Sequence, residues 1–183
     1  MQAAPGAQFV ADAQPTPAWF GRRPRPIEAL CDRYANDNAN GFAVSRVASD
    51  LFQRLRPFHG CSPQWLEPLQ AAAVLHGIGR GLGGTRYEMH GRNIVLGHGL
   101  AGFGGDLAHV VANAILLHRG PLQGDADLLG DALPSHMRRP SLLLAAMLRI
   151  AVALTQAPTE LGFLDDSRTR LRWHLSSKAA TEA

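Results

Sequence analysis

Three histidines have the chemistry and setting to form a site: His76, His90 and His118. Each falls near the end of a helical run or beside glycines. A neutral imidazole binds a divalent ion through one ring nitrogen, and three histidines with a water can make a catalytic zinc site. Manganese or iron are the other ions such a set would take. The ordinary role for a helical histidine is packing or hydrogen bonding, and His59, His98, His109, His136 and His174 are read that way. Arginines gather in the same stretches. Arg80, Arg86, Arg92 and Arg119, together with His118, surround a glycine-rich loop and the ends of the histidine helices. A guanidinium fork matches phosphate bidentately, so these residues are candidate ligands for a phosphate-rich anion, against the plain alternative of solvated loop arginines. Glu88 and Asp106 could serve as acid or base, but nothing in the sequence brings them together. The loop Gly79-Arg-Gly-Leu-Gly-Gly84 follows a helix rather than a strand and lacks Gly-Lys-Ser/Thr, so it is a weak phosphate-loop signal.

The composition sets the frame for that chemistry. A chain of 183 residues with 46% hydrophobic content is one domain with tails and has ample material for a core. Of its 18 basic residues 17 are arginine and one is Lys178, which suits an anionic partner or simply reflects a GC-rich genome. A net charge of +3 is modest, and the basic residues are not interleaved with aromatics as in single-strand nucleic-acid binders. Cys31 and Cys61 lack metal-site spacing, which fits a reducing, cytoplasmic setting. No run of about 18 apolar residues indicates a membrane span, and the N-terminus does not read as a secretory signal.

The elements that must position these residues are mostly helical. Residues 1–26 are rich in Ala, Gln, Pro and Gly and read as a flexible arm. Pro26 can open a helix through Ile27, Leu30 and Tyr34, which Asn36-Asp37-Asn38 ends. A second helix carries Phe42, Val44, Val47, Leu51, Phe52 and Leu55, and Pro57 closes it. Ser62-Pro63 caps and opens a third, whose spacing runs from Trp65 to His76 before Gly77–Gly84 break it into a loop. Tyr87 to Val95 forms a fourth, and the glycines from Gly97 to Gly105 form a turn. A fifth carries Leu107 to His118 and stops at Gly120-Pro121. Asp125 to Asp131 is a short acidic segment of one or two turns. The most apolar helix runs from Ser141 to about Gln156 and is expected at the centre of the core. In the tail, Leu171, Trp173 and Leu175 alternate with Arg170, Arg172 and His174, and Asp165-Asp166-Ser167 is turn-like. A small hairpin packed on the helices follows, with residues 176–183 as a frayed end. The expected fold is therefore an all-α bundle over residues 27–175 with a small C-terminal β-hairpin.

The order of segments resembles the C-terminal, HD-like domain of the exopolyphosphatase and guanosine pentaphosphate phosphatase family. The matching pieces are Val44…Leu51-Phe52…Leu55, then Ala72-Ala73-Val74-Leu75-His76-Gly77-Ile78-Gly79. Tyr87-Glu88-Met89-His90-Gly91 is similar to that family's Tyr-His-x-His-Ser/Gly, and Leu117-His118-Arg119 to its Tyr-His-Arg. Met147-Leu148-Arg149-Ile150-Ala151-Val152-Ala153-Leu154 looks like its Leu-Leu-Arg-Ile-Ala-x-Ala-Leu helix. The resemblance covers roughly residues 40–175. It implies an HD-domain-like bundle that helps hold a long polyanion and build dimers.

The departures decide what chemistry the resemblance can carry. An active HD site uses a first histidine, an adjacent His-Asp pair and a later aspartate. Those positions fall here at Asn40, His76-Gly77 and Val152, so one of the four ligands survives. Carboxylates supply the charge that holds a hard dication, and none stands at Gly77 or Val152. The resemblance places the family's phosphatase centre in actin-like domains that 183 residues have no room for. The expectation is a non-catalytic module without a cofactor, binding polyphosphate or nucleotide, and working as a homodimer or beside a separate catalytic chain. Two alternatives stay open: a metal-dependent phosphohydrolase built on the residual histidines, and a structural interaction or dimerisation domain.

Overall fold

A computed structural model describes residues 26–83, 85–119, 133–156, 159–165 and 171–177. The expected arm before residue 26, the acidic segment Asp125–Asp131, the stop at Gly120-Pro121 and the end after residue 177 lie outside the described residues. The helices are α1 (Pro26–Arg33), α2 (Asn38–Arg54), α3 (Arg56–His59), α4 (Leu66–Leu75), α5 (Tyr87–His98), α6 (Gly105–Leu117) and α7 (Ser135–Gln156). Short 3-10 turns occupy Pro63–Trp65 and Ile78–Leu82. The body is all-α. Beyond it, Thr159–Asp165 and Leu171–Ser177 pair as an antiparallel two-stranded ribbon. This is the hairpin expected from the tail.

Several boundaries differ from the sequence reading for local reasons. Asn36-Asp37-Asn38 does end α1, but Asp37 also starts α2: its carboxylate accepts from the Asn40 backbone N–H at 3.1 Å. α2 therefore begins one turn before Phe42. Pro57 does not close a helix but sits in the first turn of α3, where its missing N–H costs nothing. Ser62 precedes a proline as expected, yet its side chain makes no capping bond, and a 3-10 turn intervenes before α4. The glycines after His76 make a 3-10 turn rather than an open loop. The last helix starts at Ser135, six residues before Ser141, with Pro140 inside it.

The centre of the core also moves. In α4, Leu69 and every residue from Ala71 to Leu75 are fully buried, and α6 is likewise buried from Val110 to Leu116. α7 buries one face through Ser141, Leu144, Leu148 and Ala151 while Leu142 stays exposed. It is an amphipathic cover, and α4 and α6 are the central pair. α4 is clasped by α2, α6 and α7. Its alanines keep it thin, and the α2 contact is closer still: a Cβ on Gly41 would lie 2.7 Å from the Val74 carbonyl oxygen. Only glycine permits that approach. Burial of this apolar surface at about 25 cal/mol per Å² is the main term holding the bundle. Among the described residues no helix is long and apolar enough to cross a membrane.

Candidate functional site

The two central helices end side by side, and each ends on a histidine. His76 follows the last residue of α4, and His118 follows the last residue of α6. The last carbonyls of a helix lack partners within it. Each ring satisfies one: His76 Nδ1 lies 2.8 Å from the Ala73 carbonyl, and His118 Nδ1 lies 2.5 Å from the Ile115 carbonyl. A carbonyl can only accept, so Nδ1 carries the proton in both rings and a neutral ring presents Nε2 as an acceptor. Both rings are held neutral. Burial lowers the His118 pKa to about 4, with the neighbouring His76 adding to the fall against the opposing Ile115 hydrogen bond. Burial likewise lowers that of His76, and Arg80 lowers it further. The rings meet edge to face with centroids 5.6 Å apart.

Long polar contacts surround the two Nε2 atoms. Asn40 Nδ2 approaches His76 Nε2 at 3.5 Å, and the Tyr87 hydroxyl approaches His118 Nε2 at 3.4 Å. A cavity of about 100 Å³ opens beside His76, walled by Tyr34, Asn36, Asp37, Asn40, Gly77 and Arg80. Its rim is the turn after α1. There Ala35 takes a left-handed φ of 47° and the Asn36 N–H reaches back to the Cys31 carbonyl at 2.9 Å, a helix stop usually made with glycine. Asn36 then fastens the rim to α4, donating from Nδ2 to the Val74 carbonyl at 3.0 Å.

Arg80 lines the cavity, and Arg119 meets it over the Tyr87 ring. The Arg80 and Arg119 guanidinium carbons each sit 4.9 Å from the centre of the Tyr87 ring, and Arg80 also reaches the Tyr87 hydroxyl at 3.5 Å. Cation–π contact of this kind contributes about 0.5–1 kcal/mol per pair at exposed positions, enough to bias where the forks rest. The geometry of the 3-10 turn is what brings Arg80 here. A Cβ on Gly79 would lie 2.1 Å from the Tyr87 carbonyl and 2.6 Å from the Gly91 nitrogen, so the turn and α5 touch backbone to backbone.

The expected residues thus separate. His76, His118, Arg80 and Arg119 come together. Arg86 is instead paired with the buried Glu88 at 3.4 Å. Arg92 lies one turn further along α5, half-buried, with its Nε enclosed and without a partner. His90 packs its Cβ over Gly79 from the first turn of α5. The three-histidine metal group is not assembled: among the described residues no three His, Cys, Asp or Glu side chains are grouped to hold a metal ion. The physical reason is that His90 projects from within α5, whereas the facing pair sits on the carboxyl ends of α4 and α6. Asp37, the carboxylate on the cavity wall, is engaged as the cap of α2. At the two positions where the resemblance puts metal-binding aspartates stand Gly77, which has no side chain, and Val152, which is apolar and buried. These donors do not fit a dinuclear metal centre.

Sequence reasoning missed Tyr34, Asn36, Asp37 and Tyr87 as cleft residues. The first three sit in a stretch that reads as a helix stop. Tyr87 carried a usable signal, since it directly follows the glycine-rich segment and an arginine. His59, read as ordinary, is structural: it is buried, with Nε2 at 2.8 Å from the Phe52 carbonyl and Nδ1 accepting from the Cys61 N–H.

The chain is thus an all-α domain whose central helices end on a buried histidine pair, beside two arginines that rest on one tyrosine. Residues 23–177 match the model of Ppx/GppA phosphatase, domain III, and the chain belongs to that family. No curated protein matches the chain.

Proposed function

We propose that this chain is a non-catalytic, exopolyphosphatase-related domain that binds phosphate-rich anions, polyphosphate or nucleotide, at the His76/His118 cleft. The observation that carries the reading is the pair of guanidiniums, Arg80 and Arg119, both 4.9 Å from the centre of the Tyr87 ring. Guanidiniums stacked on one ring are held ready to take neighbouring phosphate oxygens bidentately. His118, also expected as a ligand residue, backs Tyr87 rather than adding charge, because burial holds it neutral.

On this reading the cleft is a degenerate HD metal site, with Asn40, Gly77 and Val152 at the lost ligand positions. The donor set argues against a metal-dependent phosphohydrolase, and the chain acts as a homodimer or alongside a separate catalytic chain. We also place it in the cytoplasm, a reading in keeping with two cysteines that are both free. The test is tripolyphosphate affinity, measured by calorimetry without divalent ions. Arg80→Ala and Arg119→Ala should each weaken binding about tenfold, the usual scale for one charge-assisted hydrogen bond. Arg86→Ala should weaken it less, since Arg86 already serves Glu88. Unchanged affinity in both Arg80→Ala and Arg119→Ala would sink the assignment.

A further inference from the structure

The cleft joins two kinds of recognition that a bare polyphosphate chain would not use together. The cleft offers cations, through Arg80 and Arg119. Its wall offers an acceptor, His76. Both histidines spend Nδ1–H on a helix-end carbonyl, so each Nε2 is a lone pair. An acceptor set against a fully ionised phosphate oxygen is repulsive, whereas set against a hydroxyl it is a hydrogen bond. The contacts now made by those atoms are long, 3.5 Å from Asn40 and 3.4 Å from Tyr87, near the outer limit of a hydrogen bond. On His76, a hydroxyl at the usual 2.7–2.8 Å would replace the Asn40 contact with something stronger. The cavity beside His76, about 100 Å³, is several times the roughly 10–15 Å³ that one water needs.

We infer that the ligand is a phosphate ester carrying free hydroxyls, with Arg80 and Arg119 on the phosphate and Nε2 of His76, the ring that lines the cavity, accepting from a hydroxyl. This rests on the anion-binding reading above and narrows it: His76 sets specificity for a phosphorylated polyol over hydroxyl-free polyphosphate. The facing charges agree with that division. Arg80 and Arg119 stand close enough to the rings to disfavour their protonation, while Asp37 near His76 and Glu88 near His118 pull the other way. Burial outweighs both carboxylates, so the rings stay acceptors at neutral pH.

The experiment compares four probes by calorimetry on the whole chain at pH 7.5: ribose 5-phosphate, cyclopentyl phosphate, a ribonucleoside triphosphate and its 2′,3′-dideoxy analogue. The hydroxyl-bearing member of each pair should bind about tenfold more tightly or better, because a site built for a hydroxyl leaves its acceptor unpaired when the hydroxyl is absent. His76→Phe should shrink that ratio towards one. Arg80→Ala should weaken both members equally. Preference in the first pair alone would identify a small sugar phosphate, and in the second alone a nucleotide. Should the phenylalanine variant fold poorly, the wild-type ratio decides by itself. Equal affinity within both pairs overturns the inference while leaving phosphate binding standing. Failure of all four probes and of tripolyphosphate overturns both.

Discussion

Two glycines two residues apart should respond to the same substitution in opposite ways. At Gly79 a methyl would lie 2.1 Å from the Tyr87 carbonyl oxygen, 2.6 Å from the Gly91 nitrogen and 2.9 Å from the His90 Cβ. Two of the three are backbone atoms of α5, so no side chain can swing aside. The 3-10 turn and α5 must separate by about 1 Å, and overpacking of that kind costs about 3 kcal/mol, the upper end of its usual range. For a domain of this size that is a fall in melting temperature of about 6–12 °C. At Gly77 the nearest atoms are Arg80 Nε and Asn36 Oδ1, both at 3.6 Å, and φ is −93°, open to any residue. Gly77→Ala should be neutral or stabilise by about 0.4–1 kcal/mol, through loss of unfolded-chain freedom. Thermal denaturation followed by circular dichroism on the two variants reads the difference. Binding should follow, because separating the turn from α5 breaks the Arg80–Tyr87 contact. A Gly79→Ala variant that melts with the wild type, or a Gly77→Ala variant that falls as far as Gly79→Ala, would refute this backbone contact. The contrast bears on the proposed function, because it asks whether the backbone itself demands glycine at position 77, where that proposal puts a lost metal ligand. The structure answers that it does not.

Two further outcomes follow from buried polar groups. His118 is neutral in the native state with its pKa near 4, while in the unfolded chain it titrates at about 6.5. Its stabilising contribution is whole above about pH 6.5 and is lost as pH falls towards 4, by up to about 3 kcal/mol; urea denaturation across that window should show the loss, and His118→Gln should flatten it. Asn113 is fully buried on α6 with neither its Oδ1 nor its Nδ2 bonded to the protein. Asn113→Leu should stabilise by about 1–3 kcal/mol, the scale of an unmet buried polar group; a lower denaturation midpoint would show that the amide has partners the side-chain geometry does not reveal.

Much of this arrangement was legible in the sequence. Helical spacing marked α2, α4, α5, α6 and the cover helix, because each buries a continuous apolar stripe. The alternation of Leu171, Trp173 and Leu175 marked the second strand. The ends of α4 and α6 were legible too, since His76 precedes a glycine run and His118 stands two residues before Gly120. What the sequence hid was tertiary. Spacing could not say that two of the three histidines face each other and the third does not, because that depends on how α5 lies over Gly79. It could not separate Arg80 and Arg119, which rest on Tyr87, from Arg86, which pairs with Glu88. It ranked Ser141–Gln156 as central because leucines outweigh alanines in any hydropathy pattern. Small residues make a helix central when α2, α6 and α7 must all approach it, as Ala71, Ala72 and Ala73 do in α4.

The most direct test of the central claim is calorimetric titration of the whole chain with tripolyphosphate at two ionic strengths, with chelator present throughout. A metal-independent phosphate site gives saturable binding that weakens at higher salt, as charge–charge recognition by exposed arginines must, and that needs no divalent ion. Binding seen only after zinc, manganese or iron is added, and abolished by His76→Ala, would contradict it and point back to a metal site.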